Sequence, residues 1–126
     1  NFIGRANFIP AKVLEENGGE LSVGVGDQVV VLTNVRRQFK KHDPVVLIIR
    51  PEMVKVKKAG ELFTGIIRRA VYLGDVIEYD VEINHQLITG VETDPRVTEL
   101  FNEGEQVTVG FAFDCIQALP GEESYG

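Results

Sequence analysis

The sequence predicts an all-β chain of small barrels or a sandwich. Three observations carry this: many short stretches rich in β-branched residues, Gly, Asn and Asp between them at close intervals, and helical patterns too short to matter. The expected strands are Phe8–Leu14, Glu20–Val25, Gln28–Thr33, Val45–Ile49, Met53–Lys57, Leu62–Tyr72, Val76–Ile83, Gln86–Val91, Gln106–Phe111 and Cys115–Leu119. Asn17-Gly18 is a favoured tight-hairpin pair, and Gly26-Asp27, Gly74-Asp75, Asn84-His85 and Asn102-Glu103-Gly104 read as further turns. Between Val76 and Ile83 apolar residues alternate with Glu78, Asp80 and Glu82, the period of a strand with one wet face. The best helical piece is Asp94–Phe101, with Asp94 as cap and Pro95 in the first turn.

The chain contains a repeat. Phe39-KKHDP-Val45-V-Leu47-I-Ile49-RPEM-Val54-K-Val56 matches Phe101-NEGEQ-Val107-T-Val109-G-Phe111-AFDC-Ile116-Q-Ala118 without a gap, at a constant offset of 62 residues. Asp43 matches Glu105, and Glu52 matches Asp114. Two similar units are expected: 8–58 and 59–119, after a short linker at 1–7 and before a tail at 120–126. A hydrophobic fraction of 44% over 126 residues suits one compact domain or two very small ones packed together.

Charge and cysteine content narrow the function. The net charge is -6, against the basic surface expected of a general nucleic-acid binder. Residues 1–58 hold 10 basic and 6 acidic residues, and residues 59–126 hold 3 and 13, so halves of opposite sign are expected to be able to face each other. The single Cys115 excludes an internal disulfide and lies in an apolar stretch, where a buried structural thiol is expected. The longest aliphatic run, Val45–Ile49, is too short to span a membrane. The opening NFIGRANFIP lacks the pattern of a signal peptide and reads as the middle of a longer protein.

The stretch Gly19–Val31, GELSVGVGDQVVV, contains G-x-G and so invites a nucleotide-binding reading. A dinucleotide loop needs a third glycine and a helix after it; here Val29-Val30-Val31-Leu32 continues as strand. No glycine is followed by lysine, so the phosphate loop G-x-x-x-x-G-K-[ST] is absent. Gly26-Asp27 is read as a hairpin turn. No Ser, His and acid share a recognisable context, and His42, Asp43 and His85 lack metal-site spacing. Arg36-Arg37, Phe39 and Lys40-Lys41 form the one cluster of the basic–aromatic kind that a single-strand-binding barrel needs, and they are read as a solvated loop.

Four motifs in order give a resemblance: FIG-x-x-NFIPAKV at the start, Ile49-Arg50-Pro51-Glu52, then Gly65 with Tyr72-Leu73-Gly74-Asp75 and Tyr79, and the final apolar strand pair. Together they resemble the transport-associated OB (TOBE) module, the C-terminal regulatory region of ABC-importer ATP-binding subunits. The resemblance implies two tandem OB-like small barrels, in agreement with the repeat. It also implies that ATP and magnesium belong to an ATPase domain of the same polypeptide, so that this chain is not an enzyme and carries no cofactor or metal. The module so resembled helps two ATPases pair, which implies a homodimer, and in some members it binds a small-solute regulator. Membrane permease subunits are implied as indirect partners, with a cytoplasmic location at the inner face of the membrane. The opening is most similar to importers of iron(III) and polyamines. The interface or regulatory residues expected are Phe2, Ile3, Phe8 and Ile9 as an apolar seam with the ATPase domain or else as filling of the first barrel, Arg50 and Glu52 as an exposed pair on extended backbone, and Gly74 and Asp75 as a turn. The alternatives are a single-stranded nucleic-acid-binding module and a small oxyanion or metal module using His42, Asp43 and His85.

Overall fold

The computed structural model describes residues 6–33, 35–94 and 99–121. All ten expected strands are present: β1 (Asn7–Asn17), β2 (Glu20–Val25), β3 (Gln28–Leu32), β4 (Pro44–Ile49), β5 (Val54–Lys57), β6 (Phe63–Tyr72), β7 (Ile77–Ile83), β8 (Gln86–Glu92), β9 (Gln106–Phe111) and β10 (Gln117–Pro120). Two short 3-10 turns, Pro51–Met53 and Phe113–Cys115, precede β5 and β10. Of the expected helix at Asp94–Phe101, residues 95–98 lie outside the described part, and residues 94 and 99–101 are not helical.

The strands make two five-stranded antiparallel sheets, ordered β10-β4-β1-β2-β3 and β5-β9-β6-β7-β8. Each sheet curls on itself into a small OB-like barrel. The first unit is made of residues 7–49 with the C-terminal segment from residue 112, and the second of residues 50–111. This division departs from the expected 8–58 and 59–119. β5 leaves the first half of the sequence to pair with β9, and β10 returns to pair with β4. The physical reason is reciprocal. β4 and β9 each need a second antiparallel neighbour, and the 3-10 turn after each sends the chain into the other unit, whose own repeat has done the same.

The charge asymmetry of the two halves dissolves with this exchange. Residues 7–49 with 112–126 carry 5 basic and 8 acidic residues, and residues 1–6 with 50–111 carry 8 and 11, so each unit has a net charge of -3. The expectation of two oppositely charged halves is therefore withdrawn.

The repeat is real down to single hydrogen bonds. Ala118↔Leu47 in the first unit matches Val56↔Val109 in the second. The His42 N–H donates to the Val13 carbonyl at 2.8 Å, and the Gly104 N–H to that of Ile67 at 2.7 Å. The Val13 N–H donates to the Asp43 carbonyl and the Ile67 N–H to that of Glu105, both at 2.9 Å. Asp43 accepts from the Lys40 N–H at 2.7 Å, and Glu105 from that of Asn102 at 3.0 Å. Even the bulge recurs, between Val13 and Glu15 on β1 and between Ile67 and Arg69 on β6.

The core of each unit follows from strand periodicity. Val13, Leu21, Val23, Val30, Leu32, Val45, Leu47 and Ile49 close the first, and Phe63, Ile67, Tyr79, Val81, Ile88, Val107, Val109 and Phe111 the second. Alternate positions along each strand point to one face, so a run such as Val45–Ile49 sends every second residue inward. Burying one such side chain contributes about 1.5–3 kcal/mol.

Candidate functional site

The glycine-rich stretch is hairpin. Gly26 has φ 61 and turns β2 into β3, so the G-x-G cradles nothing. The first hairpin turn uses Gly18 and Gly19, with φ 52 and 91, one residue later than the Asn17-Gly18 pair expected. Asn84 and His85 make the two-residue turn between β7 and β8, the counterpart of Gly26-Asp27 between β2 and β3, with φ 51 and 65.

The expected interface residues separate. Phe2 and Ile3 lie outside the described residues. Phe8 is 59% exposed, but Ile9 is 4% exposed and faces the core. Neighbours on a strand point to opposite faces, so Phe8 stays on the surface while Ile9 fills the first barrel, the other of the two places expected for it. Phe8 does not stand alone: across the ladder from it lies Ile48, and Pro10 lies across from Val46, which in turn neighbours Leu119. These side chains line an apolar trough of about 670 Å³ on the outer face of β1, β4 and β10.

Arg50 and Glu52 are both exposed, as expected, but the backbone between them is not extended. Pro51 is buried at the head of the 3-10 turn, and the Met53 N–H donates to the Arg50 carbonyl at 2.9 Å. The two side chains form no ion pair with each other. Gly74 and Asp75 make the turn between β6 and β7, where Gly74 has φ 77 and the Leu73 N–H donates to the Val76 carbonyl at 2.8 Å.

The metal alternative loses its geometry. His42 is the turn residue equivalent to Gly104, and His85 sits in a hairpin of the other unit. Among the described residues no group of three His, Cys, Asp or Glu side chains could hold a metal ion. Of Cys115, only the backbone in its 3-10 turn is described. The nucleic-acid alternative loses its aromatic: Phe39 is 7% exposed, packed in the first unit as Phe101 is in the second.

Two polar arrangements escaped the sequence reading. On the second unit, the bulge at Arg68 turns two successive arginines toward the acids of β7. Arg69 bonds Asp80 at 2.8 Å and Glu78 at 2.9 Å, and Arg68 bonds Glu82 at 2.7 Å. Asp80 also accepts from the Thr89 hydroxyl at 2.9 Å. The bond to Asp80 and the charges of both acids hold the Arg69 guanidinium still more firmly protonated than usual. On the first unit, Arg36 and Arg37 line a cleft of about 420 Å³ together with Asp114 and Gln117. Alternation of Glu78, Asp80 and Glu82 signalled the first arrangement; nothing local signals the second, because Asp114 arrives from the far end of the chain.

Comparison with known proteins agrees with this architecture. The profile of the TOBE domain matches residues 47–119, more than half of the sequence, and the chain belongs to that family. It is 33% identical over 113 residues to the Fe(3+) ions import ATP-binding protein FbpC of Brucella abortus (strain 2308), covering 88% of this chain and 30% of that protein. It is 26% identical over 122 residues to the spermidine/putrescine import ATP-binding protein PotA of Ruegeria pomeroyi, covering 94% of this chain and 33% of that one. The chain thus spans about a third of the length of these relatives. In fold it is similar to the cytoplasmic molybdate-binding protein ModG in a crystal form with molybdate bound. The TM-score is 0.75 at 18% identity, over 91% of this chain and 96% of that chain. No helix among the described residues is long and apolar enough to cross a membrane.

Proposed function

We propose that this chain is the regulatory and pairing module of the ATP-binding subunit of an ABC importer, for iron(III), a polyamine or a related small solute. The observation that carries the reading is the alignment of nearly the whole chain with ATP-binding proteins of importers, of which it spans only a third. The remaining two thirds of such a protein would hold ATP and magnesium and do the catalysis. Importer permeases would be its membrane partners, and the subunit would sit at the cytoplasmic face. The trough at Phe8, Val46, Ile48 and Leu119 is the surface we assign to the ATPase domain of the same polypeptide. It is apolar, unlike the charged outer face of β7, and it begins one residue into β1. Arg50 and Glu52, exposed and unpaired with each other, remain candidates for contacts across the pair of subunits.

Thermal melting of the 126-residue chain tests this reading. The panel is ATP with magnesium, a single-stranded oligonucleotide, iron(III) citrate, molybdate and spermidine, with sedimentation equilibrium run alongside. A ligand present at about 100 times its Kd stabilises by about 2.7 kcal/mol. The reading expects no shift with ATP or oligonucleotide, and self-association weakened by Phe8→Ser. A shift with ATP would overturn the assignment of nucleotide to the remainder of the subunit. A shift with oligonucleotide would replace the reading with the nucleic-acid one. The likeness to a molybdate-binding fold is the reason for the molybdate arm, and a shift there identifies an oxyanion as regulator.

A further inference from the structure

The two units follow one strand plan, and they differ at the seam where each sheet comes round on itself. In the second unit the edge strands β5 and β8 meet. Gly90 allows it: a Cβ at that position would lie 3.1 Å from Val54 Cγ1 and 3.3 Å from Val56 Cγ2. Only about 10 Å³ of space remains there, no more than one water needs.

In the first unit the matching position is Leu32. The cross-strand pair Tyr79↔Gly90 of one unit corresponds to Leu21↔Leu32 in the other. Leu32 is fully buried, and its side chain fills the interior where a close approach of β3 to β10 would have to come. β3 meets the 3-10 turn at Phe113–Cys115. The seam stays open as the cleft of about 420 Å³.

The lining of this cleft is chemically divided. Arg36 and Arg37 come from the chain after β3; Asp114 and Gln117 come from the opposite side; Ile116 and Leu119 supply an apolar wall. Neither arginine has an ion-pair or side-chain hydrogen-bond partner among the described residues. Elsewhere in the molecule Arg68 and Arg69 are each committed to acids. Two adjacent guanidinium groups repel unless an anion is shared between them, and each offers a planar fork to a carboxylate or phosphate. The volume lies in the range of small-molecule sites and exceeds what a simple inorganic oxyanion fills.

We propose that the open seam of the first unit binds a small hydroxylated organic anion. Arg36 and Arg37 take its acid groups, Asp114 accepts a hydrogen bond from its hydroxyl, and Ile116 and Leu119 cover its carbon skeleton. Leu32 is the residue that keeps this seam open, and Gly90 the one that shuts its counterpart. The cleft adjoins the apolar trough at Leu119, and the isolated chain, which carries its whole lining, would bind the ligand.

Citrate is the probe, since its three carboxylates include one for each arginine and it carries a hydroxyl, and calorimetric titration with amide chemical-shift mapping is the measurement. Saturable binding is expected, with shifts at residues 35–37 and 114–118. Arg36→Gln and Arg37→Gln should each weaken it about tenfold, the scale of a charge-assisted bidentate contact. Ala118→Leu keeps the net charge and fills the cleft, so it should abolish binding. Arg50→Gln removes one exposed arginine from the other unit and should leave binding unchanged. Tricarballylate, which lacks the hydroxyl, should bind more weakly than citrate. The proposal is overturned by no saturable binding, by shifts that map elsewhere, or by equal loss in Arg50→Gln. The exposed arginine variants keep the test decisive if Ala118→Leu does not fold.

Discussion

Gly65 and Tyr79 look unrelated in the sequence, and packing accounts for both. A Cβ on Gly65 would lie 2.6 Å from Val81 Cγ1, 2.8 Å from the Glu82 carbonyl oxygen and 2.9 Å from Ile83 Cγ1. Backbone cannot give way there, so Gly65→Ala is expected to destabilise by about 1–3 kcal/mol, the cost of overpacking a core. Denaturant titration checks it, and a midpoint equal to that of the parent would remove steric approach as the reason for this glycine. Tyr79 is buried against Phe101, with ring centroids 5.8 Å apart, and its hydroxyl oxygen accepts the Phe101 N–H at 3.2 Å. Tyr79→Phe leaves that N–H without its acceptor, at a cost of about 1–3 kcal/mol. Burial also raises the phenol above its ordinary pKa of 10.0. The folded state therefore prefers the neutral ring, a contribution complete below the unfolded pKa and lost as pH climbs through the folded one. Melting temperature against pH should fall more steeply above about pH 10 in the parent than in Tyr79→Phe.

The turns entering β4 and β9 show one element built twice from different residues. His42 holds φ 75 where the other copy has Gly104 at φ 88. A non-glycine residue pays about 1–2 kcal/mol in this region, and glycine returns about 0.5–1 kcal/mol of it as lost chain freedom. His42→Gly should thus be neutral to stabilising by up to about 1 kcal/mol, while Gly104→Ala should destabilise by at least as much. Paired thermal melts decide this. A loss of stability in His42→Gly would mean that the imidazole makes a contribution beyond the turn. The β-bulges make a similar comparison. Leu14 packs over Gly24 in the first unit, and Arg68 bonds Glu82 in the second. One backbone irregularity serves an apolar lid in one copy and an exposed ion pair in the other.

At the scale of the molecule, each unit is completed by a strand from the other copy of the repeat. Residues 50–111 contain all five strands of their sheet, whereas residues 8–58 lack β10 and carry β5, which pairs elsewhere. A fragment of residues 50–111 is expected to show the dispersed amide spectrum of a folded barrel, and a fragment of residues 8–58 is not. Truncation of the whole chain after residue 116 should collapse the amide signals of residues 7–49 and spare those of 50–111. A folded 8–58 fragment would show that β10 is dispensable.

The sequence by itself determined the strands, most of their turns, the duplication and the family. Each of these rests on local alternation, turn chemistry or a register repeated without a gap. A run such as Phe8-Ile9 does not declare which residue faces in until its partner strand is known, so seam and barrel core both stood open for it. The tertiary structure alone decided which strand completes which barrel, and with it the equal charge of the two units. It alone decided that the seam shut by Gly90 stands open at Leu32, with Arg36 and Arg37 facing Asp114 across it. Those outcomes depend on pairings between residues distant in sequence, where an antiparallel ladder accepts any apolar strand of suitable register. The choice is made by the space the whole fold leaves available.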